Sequence, residues 1–376
     1  MIGGRLDFSR NPLLVFWETT KACPLSCRHC RASAITSPLP DELTYEEGVR
    51  LMDDISSFGQ PRPVVIMTGG DCMMRSDLVE LVREGKESQL SIALSPAVSS
   101  LLDSGKLIEL RNLGIRSISL SLDGSRAEIH DSIRGIPGHF GETINAASRL
   151  VAMGFSVQIN TTVMPDNVEE LADIALILRQ LGIRVWEVFF LVSVGRGEHL
   201  KELTAAQNED VCNFLAEMTR HGFTVRTVEA PFYRRILAER TRRVPAAHGT
   251  NGEVHGGLYS RLMERASVLL GPPQREVVAS NVPTRDGKGI IFISQNGEVY
   301  PSGFLPYSVG NVRSGSITDI YRNNRTLISI RNGEFGGKCG VCEYRDVCGG
   351  SRSRAFSHSG DVLAEDPGCA YLPGGF

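Results

Sequence analysis

Three cysteines near the start of the chain stand close enough together to hold metal. Cys23, Cys27 and Cys30 have the spacing C-x3-C-x2-C. Three thiolates can hold three irons of a [4Fe–4S] cluster, whose fourth iron then needs a ligand from elsewhere. A substrate or cofactor can bind at that open iron. The alternative is a zinc site with His29 of the same loop as a ligand, but the spacing favours the open cluster.

A second set of cysteines lies near the carboxyl end of the chain. Cys339, Cys342, Cys348 and Cys369 stand as C-x2-C-x5-C-x20-C. Four thiolates can close an iron–sulfur cluster completely, and they can equally hold a structural zinc. The spacing alone leaves both interpretations open. In either case the metal would organise a loop-rich region whose own apolar core is thin.

Length and composition limit the class of protein. The 376 residues suffice for one large domain and a small one. A hydrophobic content of 41% with 22% charged residues is typical of a soluble protein, and a net charge of −3 predicts binding to neither nucleic acid nor membrane. Without a signal peptide or a long apolar run, we expect a cytoplasmic location, where cysteines bind metal rather than form disulfides.

The elements that must position the first cysteines are alternating strands and helices. Six short β-like runs, most of them apolar almost throughout, alternate with helical patterns. The predicted strands lie near residues 14–19, 64–68, 90–94, 117–122, 156–163 and 185–192. Such alternation predicts an α/β fold with a parallel sheet. Because six units are too few for an eight-unit barrel, we expect a partial (β/α)6 barrel with an open side.

Polar caps mark the starts of the predicted helices. Thr44 and Thr204 are followed three residues later by Glu47 and Gln207, which is the capping-box pattern. A further helix is predicted to begin at Asn167, which is likewise followed by an acidic residue at the third position. The first cysteine loop comes before these helices, directly after the first strand. It therefore lies where parallel β/α proteins commonly place their chemistry.

The pattern changes after the sixth predicted strand. Glycine, proline and arginine crowd residues 230–287, with one helical piece at 258–270. Seven arginines between Arg220 and Arg243 predict either a solvated helix face or an anchor for substrate carboxylates, which arginine binds bidentately. Beyond this connector, residues 290–300 predict a small β-hairpin with an Asn-Gly turn, and a short helix follows near 316–324.

The first cysteine loop, CPLSCRHC, resembles the signature of the radical S-adenosylmethionine (radical SAM) enzymes. In that superfamily the amino and carboxylate groups of S-adenosylmethionine chelate the open iron. One electron from the cluster cleaves the sulfonium, and the resulting 5′-deoxyadenosyl radical abstracts a hydrogen from the substrate. The resemblance implies an enzyme whose protein positions this radical. It also implies a ferredoxin- or flavodoxin-type reductant.

Two segments after predicted strands are similar to cofactor-binding motifs of that superfamily. Gly69-Gly70-Asp71 is similar to the Gly-Gly-Glu motif that holds the methionyl ammonium. Here aspartate replaces glutamate, which shortens the reach by one methylene and keeps the charge. Ser119 and Ser121, at the end of the fourth strand, resemble the segment that contacts the ribose.

Four further residues complete the set of candidate site residues. By resemblance, Arg134 faces the methionyl carboxylate, Asn160 of the fifth strand contacts the nucleoside, and His29 faces the adenine. Cys72 directly follows the Gly-Gly-Asp segment. It is either a small buried thiol, as free cysteines commonly are, or a catalytic or hydrogen-donating residue.

The carboxyl-terminal part resembles the SPASM/twitch class of auxiliary-cluster domains. It is similar to radical SAM enzymes that trim side chains of siroheme-derived tetrapyrroles, in the synthesis of d-type heme and in alternative heme synthesis. The similar stretches are residues 29–34, 310–313, 348–355 and 360–369. This likeness favours a second [4Fe–4S] cluster over zinc on the last four cysteines. Ser302 stands where the class often has a further cysteine, so one auxiliary cluster is expected.

Together these observations predict a domain order and a function. The expected units are an N-terminal extension at 1–12, a radical SAM partial barrel at 13–229, a connector or lid at 230–287, and an auxiliary iron–sulfur domain at 288–376. The expected activity is hydrogen abstraction from a tetrapyrrole side chain. One alternative is a SPASM-type maturase for a ribosomally made peptide, and another is a non-catalytic zinc or iron–sulfur protein.

Overall fold

The strands of the first part of the chain pair with one another in sequence order. The computed structural model describes residues 7–241, 256–277, 282 and 284–374. The strands are β1 (Leu14–Glu18), β2 (Val64–Thr68), β3 (Ser91–Leu94), β4 (Ser117–Ser121), β5 (Ser156–Val163), β6 (Val185–Phe190) and β7 (Thr224–Val228). All of them run parallel, each beside the next. The predicted α/β partial barrel is thereby confirmed.

Helices connect the strands and cover one side of the sheet. They are α1 (Tyr45–Ser56), α2 (Leu78–Glu87), α3 (Ser104–Asn112), α4 (Ala127–Arg134), α5 (His139–Ala152), α6 (Leu171–Gln180), α7 (Ala205–Arg220), α8 (Tyr233–Thr241) and α9 (Gly257–Leu270). Thr44 and Thr204 cap α1 and α7 through the capping boxes expected from the sequence. Asn167 does not cap a helix: its side-chain amide donates to the carbonyls of Asp123 and Thr162.

The two faces of the sheet differ in what covers them. Trp17 of β1 points outward and lies against α1 and α2, where a Cβ added at Gly48 would meet its ring. Phe16 and Glu18 alternate with it and therefore point into the barrel. Inward residues along the other strands are mostly half-buried, whereas the outward residues are buried. The inner face of the sheet is consequently less covered than the outer face, and the space that the curved sheet encloses is the cavity.

Strand β7 was not among the predicted strands. Its sequence, TVRTV, has only two apolar residues, Val225 and Val228, which lie three positions apart and so form neither a continuous run nor an alternation. Arg226 pairs in register with Glu187 of β6, so both face the cavity. A strand that faces an open, polar interior needs an apolar side chain only on its outer face, which explains the weaker pattern.

The carboxyl-terminal hairpin continues the barrel sheet. Its strands are β8 (Arg285–Asp286), β9 (Gly289–Ile293), β10 (Glu298–Tyr300) and β11 (Gly310–Asn311). β9 runs parallel to β1 and antiparallel to β10, and Gly297 has the positive φ of +87° that the predicted turn requires. The remaining helices are α10 (Ile317–Asn323), α11 (Arg325–Asn332), α12 (Gly337–Val341) and α13 (Arg352–Ser359).

The described part of the connector belongs to the outer helical layer. Helix α9 packs against α6 and α7, and its Arg265 pairs with Asp173 of α6 at 2.6 Å. The connector's residues 242–255 and 278–281 and residue 283 lie outside the described residues. The domain boundaries therefore stay a prediction.

Several arginines of the arginine-rich segment hold the outer helices together. Arg220 and Arg240 pair with Glu217 of α7, and Arg235 pairs with Glu209 of the same helix. These three side chains therefore stabilise the outer layer rather than face the cavity. The segment's last two arginines, which follow α8, lie outside the described residues. Along the described stretches of chain, no helix is both long and apolar enough to cross a membrane.

Candidate active site

The first cysteine loop lies at the mouth of the barrel, directly after β1. Cys23 and Cys27 are buried and Cys30 is half-buried, and the three pack in one small cluster. Arg196, in the loop after β6, reaches across the mouth of the barrel and donates hydrogen bonds to backbone carbonyls beside the cysteines. Its Nε donates to the carbonyl of Cys27 at 2.9 Å, and its Nη1 donates to the carbonyl of Ala34 at 3.0 Å. The loop is thus held from both sides of the barrel opening.

The electrostatics of this loop suit a metal. Burial raises the pKa of the Cys23 thiol to about 12, and the neighbouring charges of Asp71, Cys27 and Cys30 raise it further. Thiolates at such a place need a compensating cation, which iron would supply. Within the described ranges, no three Cys, His, Asp or Glu side chains converge on a single metal ion.

The Gly-Gly-Asp segment after β2 is clamped against the start of the cysteine loop. The N–H of Gly70 donates to the carbonyl of Thr20 at 2.8 Å, and that of Asp71 donates to Ala22 at 2.7 Å. A Cβ at Gly70 would lie 2.3 Å from the carbonyl oxygen of Ala22, and one at Gly69 would lie 2.6 Å from that of Thr20. Only glycine permits this close approach of the two backbones.

The Asp71 carboxylate is buried beside the cysteine loop. It accepts hydrogen bonds from the N–H groups of Met73 at 3.0 Å and Ala97 at 3.2 Å, and from the hydroxyl of Ser99 at 3.1 Å. Burial raises the pKa of Asp71, and the hydrogen bonds from these three donors oppose that rise. A carboxylate offers about four acceptor positions, so the carboxylate keeps capacity for one further donor.

Asp123 organises the site, and the sequence did not single it out as a site residue. It is fully buried after β4, and its Oδ2 lies 2.5 Å from Nη2 of Arg134 and 3.6 Å from Nε2 of His29. Its Oδ1 accepts from the N–H of Thr162 at 2.7 Å. Burial alone would raise the pKa of Asp123, but the charge of Arg134, with smaller help from the histidines, holds it below its usual value. The sequence feature that could have pointed to Asp123 is an acidic residue shortly after a parallel strand.

Asp123 contacts both Arg134 and His29, and His29 is itself a residue of the cysteine loop. Nη1 of Arg134 donates to Sγ of Cys27 at 3.6 Å, so the guanidinium bridges the carboxylate and a thiol. Burial lowers the pKa of His29 to about 4, which leaves the imidazole neutral at pH 7. The predicted contacts of these two residues with S-adenosylmethionine stay predictions, because the structure places both against protein groups.

The remaining candidate residues line the inner face of the sheet. Ser119 and Ser121 of β4 are half-buried on the same face, and Ser121 pairs in register with Asn160 of β5. The Gln158 amide donates to Oδ1 of Asn160 at 2.8 Å and to Oε2 of Glu187 at 3.0 Å. A hydroxyl and amide row therefore follows the cavity wall away from the cysteine loop.

Comparison with known proteins decides the family. The profile of the radical SAM superfamily matches residues 17–178. An AdoMet-dependent heme synthase from Oleidesulfovibrio alaskensis is 36% identical over 369 residues, which cover 96% of this chain and 87% of that protein. This chain belongs to the radical SAM superfamily. The same name is given to a Methanosarcina barkeri protein that is 34% identical, over 96% of this chain and 97% of its own length.

Solved structures show the same fold. The radical SAM chain superposes on Streptococcus suis SuiB bound to its precursor peptide SuiA with a TM-score of 0.69 at 13% identity. The match covers 96% of this chain and 76% of SuiB. The predicted superfamily and enzyme class are confirmed, and this radical SAM enzyme binds S-adenosylmethionine and a [4Fe–4S] cluster.

The second cysteine set lies in the carboxyl-terminal part of the radical SAM chain. Cys339 and Cys348 are buried, and Cys342 and Cys369 are half-buried. Burial raises the pKa of Cys348 to about 11, with Cys339 raising it further, and burial raises that of Cys369 to about 12. The backbone N–H of Asp366 donates to Sγ of Cys339 at 3.3 Å. The four thiols are neighbours in a buried, backbone-lined setting, which suits a metal cluster.

Cys72 lies away from the cavity. Its side chain is fully buried in the main hydrophobic core, and burial raises the pKa of its thiol well above the usual value. Cys212 is buried in the same core, as its helical stripe predicted. A thiol enclosed by apolar side chains has no contact with a cavity substrate, so Cys72 has no part in the proposed chemistry.

Proposed function

We propose that this radical SAM enzyme removes hydrogen from a carboxylate-bearing side chain of a tetrapyrrole. The observation that carries the proposal is similarity over nearly the whole chain to proteins named AdoMet-dependent heme synthase. The open barrel interior supports it, because a macrocycle needs a wide entrance. The mixture of aromatic and polar side chains on the inner face fits a flat ligand with polar arms.

Cys23, Cys27 and Cys30 are the proposed ligands of the cluster that binds S-adenosylmethionine. Together these cofactors supply the 5′-deoxyadenosyl radical that abstracts a substrate hydrogen. The protein's part is to hold the loop and keep its charges balanced. Asp123 fixes Arg134 against the Cys27 thiol, and the double-glycine clamp fixes the backbone on the other side.

The proposed contacts with S-adenosylmethionine follow the cavity wall from this loop. Asp71 has capacity for one further donor, which fits an ammonium group. Ser119, Ser121 and Asn160 offer hydroxyl and amide groups on the inner face, which fit a ribose and a nucleoside base. A ferredoxin- or flavodoxin-type protein is the proposed electron donor. Free cysteines fit a reducing, cytoplasmic setting.

The second cysteine set is the proposed ligand set of an auxiliary [4Fe–4S] cluster. Iron and sulfide counting on protein reconstituted without oxygen tests it. Wild-type protein should hold about eight irons and the Cys339→Ala/Cys348→Ala double variant about four, because two thiolates are too few to keep the cluster. Cys212→Ala, which removes a core thiol, should keep all of them. Zinc in place of the second four irons, or an unchanged iron content in the double variant, would contradict this assignment.

Product analysis after anaerobic reduction tests the function itself. Protein, S-adenosylmethionine and dithionite are incubated with an iron porphyrin that carries four propionate arms, and the products are identified by mass spectrometry. We expect 5′-deoxyadenosine together with a porphyrin that has lost mass from its arms. Formation of 5′-deoxyadenosine with an unchanged porphyrin would count against the proposal. Peptide modification, the second candidate, draws on the fold shared with SuiB, and a precursor peptide replaces the porphyrin in its assay.

A further inference from the structure

Arg31 directly follows the third cysteine of the loop and lies between that loop and the carboxyl-terminal hairpin. Its Nη1 donates to Oε2 of Glu18 at 2.9 Å and to the carbonyl of Gly303 at 3.4 Å. Its Cζ lies 4.5 Å from the centroid of the Phe292 ring and 5.9 Å from that of Phe304. The guanidinium therefore sits on aromatic faces, where cation–π attraction holds it in place.

These rings form an aromatic cluster across the barrel mouth. The centroid of the Phe304 ring lies 5.9 Å from that of Phe189 on β6, and the centroid of Phe292 on β9 lies 6.3 Å from that of Tyr300 on β10. In the sheet order, β6 and β9 are separated by β1 to β5. The contact of Phe304 with Phe189 therefore bridges the curved sheet, and Arg31 lies on the cavity side of β1 and β9, beside Glu18 and Phe292.

The guanidinium keeps free donors. Within the part of the chain that the structure describes, only its Nη1 meets an acceptor, and 19% of the Arg31 side chain is exposed. The Nε and Nη2 edge is the one that binds a carboxylate through two parallel hydrogen bonds. Glu18, whose side chain is 6% exposed, fixes the opposite nitrogen and so orients that free edge.

We propose that Arg31 anchors a carboxylate of the substrate, beside the half-buried rings of Phe189, Tyr300 and Phe304, which offer ring faces to a planar macrocycle. This inference rests on the proposed function, because a tetrapyrrole supplies both the carboxylates and the flat ring. Aromatic faces favour offset stacking on such a ring. Because Arg31 is bonded to Cys30, a carboxylate held here places the substrate's edge beside the cysteine loop.

Equilibrium binding tests the anchor without turnover. Iron coproporphyrin III, a tetracarboxylate porphyrin, is titrated into protein without S-adenosylmethionine, and its absorbance band is followed. Arg31→Gln should weaken binding about 10- to 100-fold, since a charge-assisted bidentate pair is lost. Arg28→Gln is the matched control. Arg28 is in the same loop, its side chain is 43% exposed, and it pairs with Asp166 at 3.8 Å, so binding should be unchanged.

A neutral ligand separates recognition from damage to the fold. The tetraamide of the same porphyrin should bind wild-type protein and Arg31→Gln equally, because it offers no carboxylate. Equal weakening of both ligands in the variant, or wild-type affinity of the variant for the tetracarboxylate, would overturn the anchor alone. Wild-type protein that binds no porphyrin would overturn the proposed function and the anchor with it. Iron content and thermal midpoint of each variant are measured alongside.

Discussion

Asp123 and Arg134 form a buried ion pair directly beneath the cysteine loop, with Nη2 of Arg134 2.5 Å from Oδ2 of Asp123. The same guanidinium reaches the Cys27 thiol at 3.6 Å. The negative charges of a cluster and its thiolates would otherwise face a buried carboxylate. Arg134 stands between them, and its positive charge allows the thiolates and the Asp123 carboxylate to lie close together.

Removing the carboxylate leaves Arg134 as an uncompensated buried charge. We expect Asp123→Asn to destabilise the metal-free protein by about 3 kcal/mol or more, as breaking buried pairs does. The free energy of unfolding in urea measures this loss. Glu169→Gln is the control, because its pair with Arg261 is more than half exposed on both sides and should be worth little. An Asp123→Asn variant as stable as that control would contradict the role of the pair.

The double-glycine clamp predicts a steric effect on cofactor binding. A Cβ at Gly70 would lie 2.3 Å from the carbonyl oxygen of Ala22, so Gly70→Ala must push β2's extension away from the cysteine loop. We expect S-adenosylmethionine affinity, measured calorimetrically on reconstituted protein, to fall at least tenfold. Gly141→Ala is the matched control. Its added Cβ meets open space in α5, and it should bind the cofactor as wild type does.

Much of the barrel is readable from local sequence. β1 to β6 lie where the sequence predicted them, although β4 and β5 alternate buried outward residues with polar inward ones and have no continuous apolar run. Thr44 and Thr204 form the capping boxes that fix the starts of their helices. β7 was not predicted, because Thr224, Arg226 and Thr227 leave it only two apolar residues, which form neither a run nor an alternation.

The site is less readable, because its contacts join distant parts of the chain. Cysteine spacing and the double glycine were visible, since each is a short motif. The position of Arg31 depends on β9 pairing with β1, which brings residues 272 positions apart into contact. Asp123 likewise meets Arg134 only after α4 has folded back on β4. Local patterns do not state which segments become neighbours in a sheet.

The buried carboxyl of Glu229, directly after β7, predicts that the free energy of unfolding depends on pH in an unusual way. Burial raises the pKa of Glu229 to about 8, and the neighbouring charge of Asp286 adds to the rise. Between the usual value near 4.5 and about 8, the folded state holds a proton that the unfolded state has lost. This contribution is therefore complete below about pH 4.5 and disappears as the pH rises through 8.

Urea unfolding at pH 5, 6.5 and 8 measures this contribution. Wild-type stability should fall relative to Glu229→Gln by about 3 kcal/mol across that range. Glu47→Gln is the control, and its stability relative to wild type should hardly change between pH 5 and pH 8. The hydrogen bond from Arg313 lowers the pKa of Glu47 to about 2, so its contribution is present above its usual pKa and lost only in strong acid. Parallel pH profiles of wild type and Glu229→Gln would show that the Glu229 carboxyl is ionised throughout.

Removal of the Arg196 side chain should lower the local stability of the cysteine loop. Its side chain donates to two backbone carbonyls of that loop, those of Cys27 and Ala34. Truncation to alanine leaves both carbonyls without a charged donor, and bonds of that kind are worth about 1.5–3 kcal/mol each. We therefore expect amide hydrogens of the metal-free loop to exchange at least about 100-fold faster in Arg196→Ala. Arg179→Ala is the matched variant, because Arg179 also bonds two carbonyls, both at the end of α9. It should speed exchange at α9 and leave the cysteine loop unchanged. Equal exchange of the loop in both variants would show that Arg196 does not hold it.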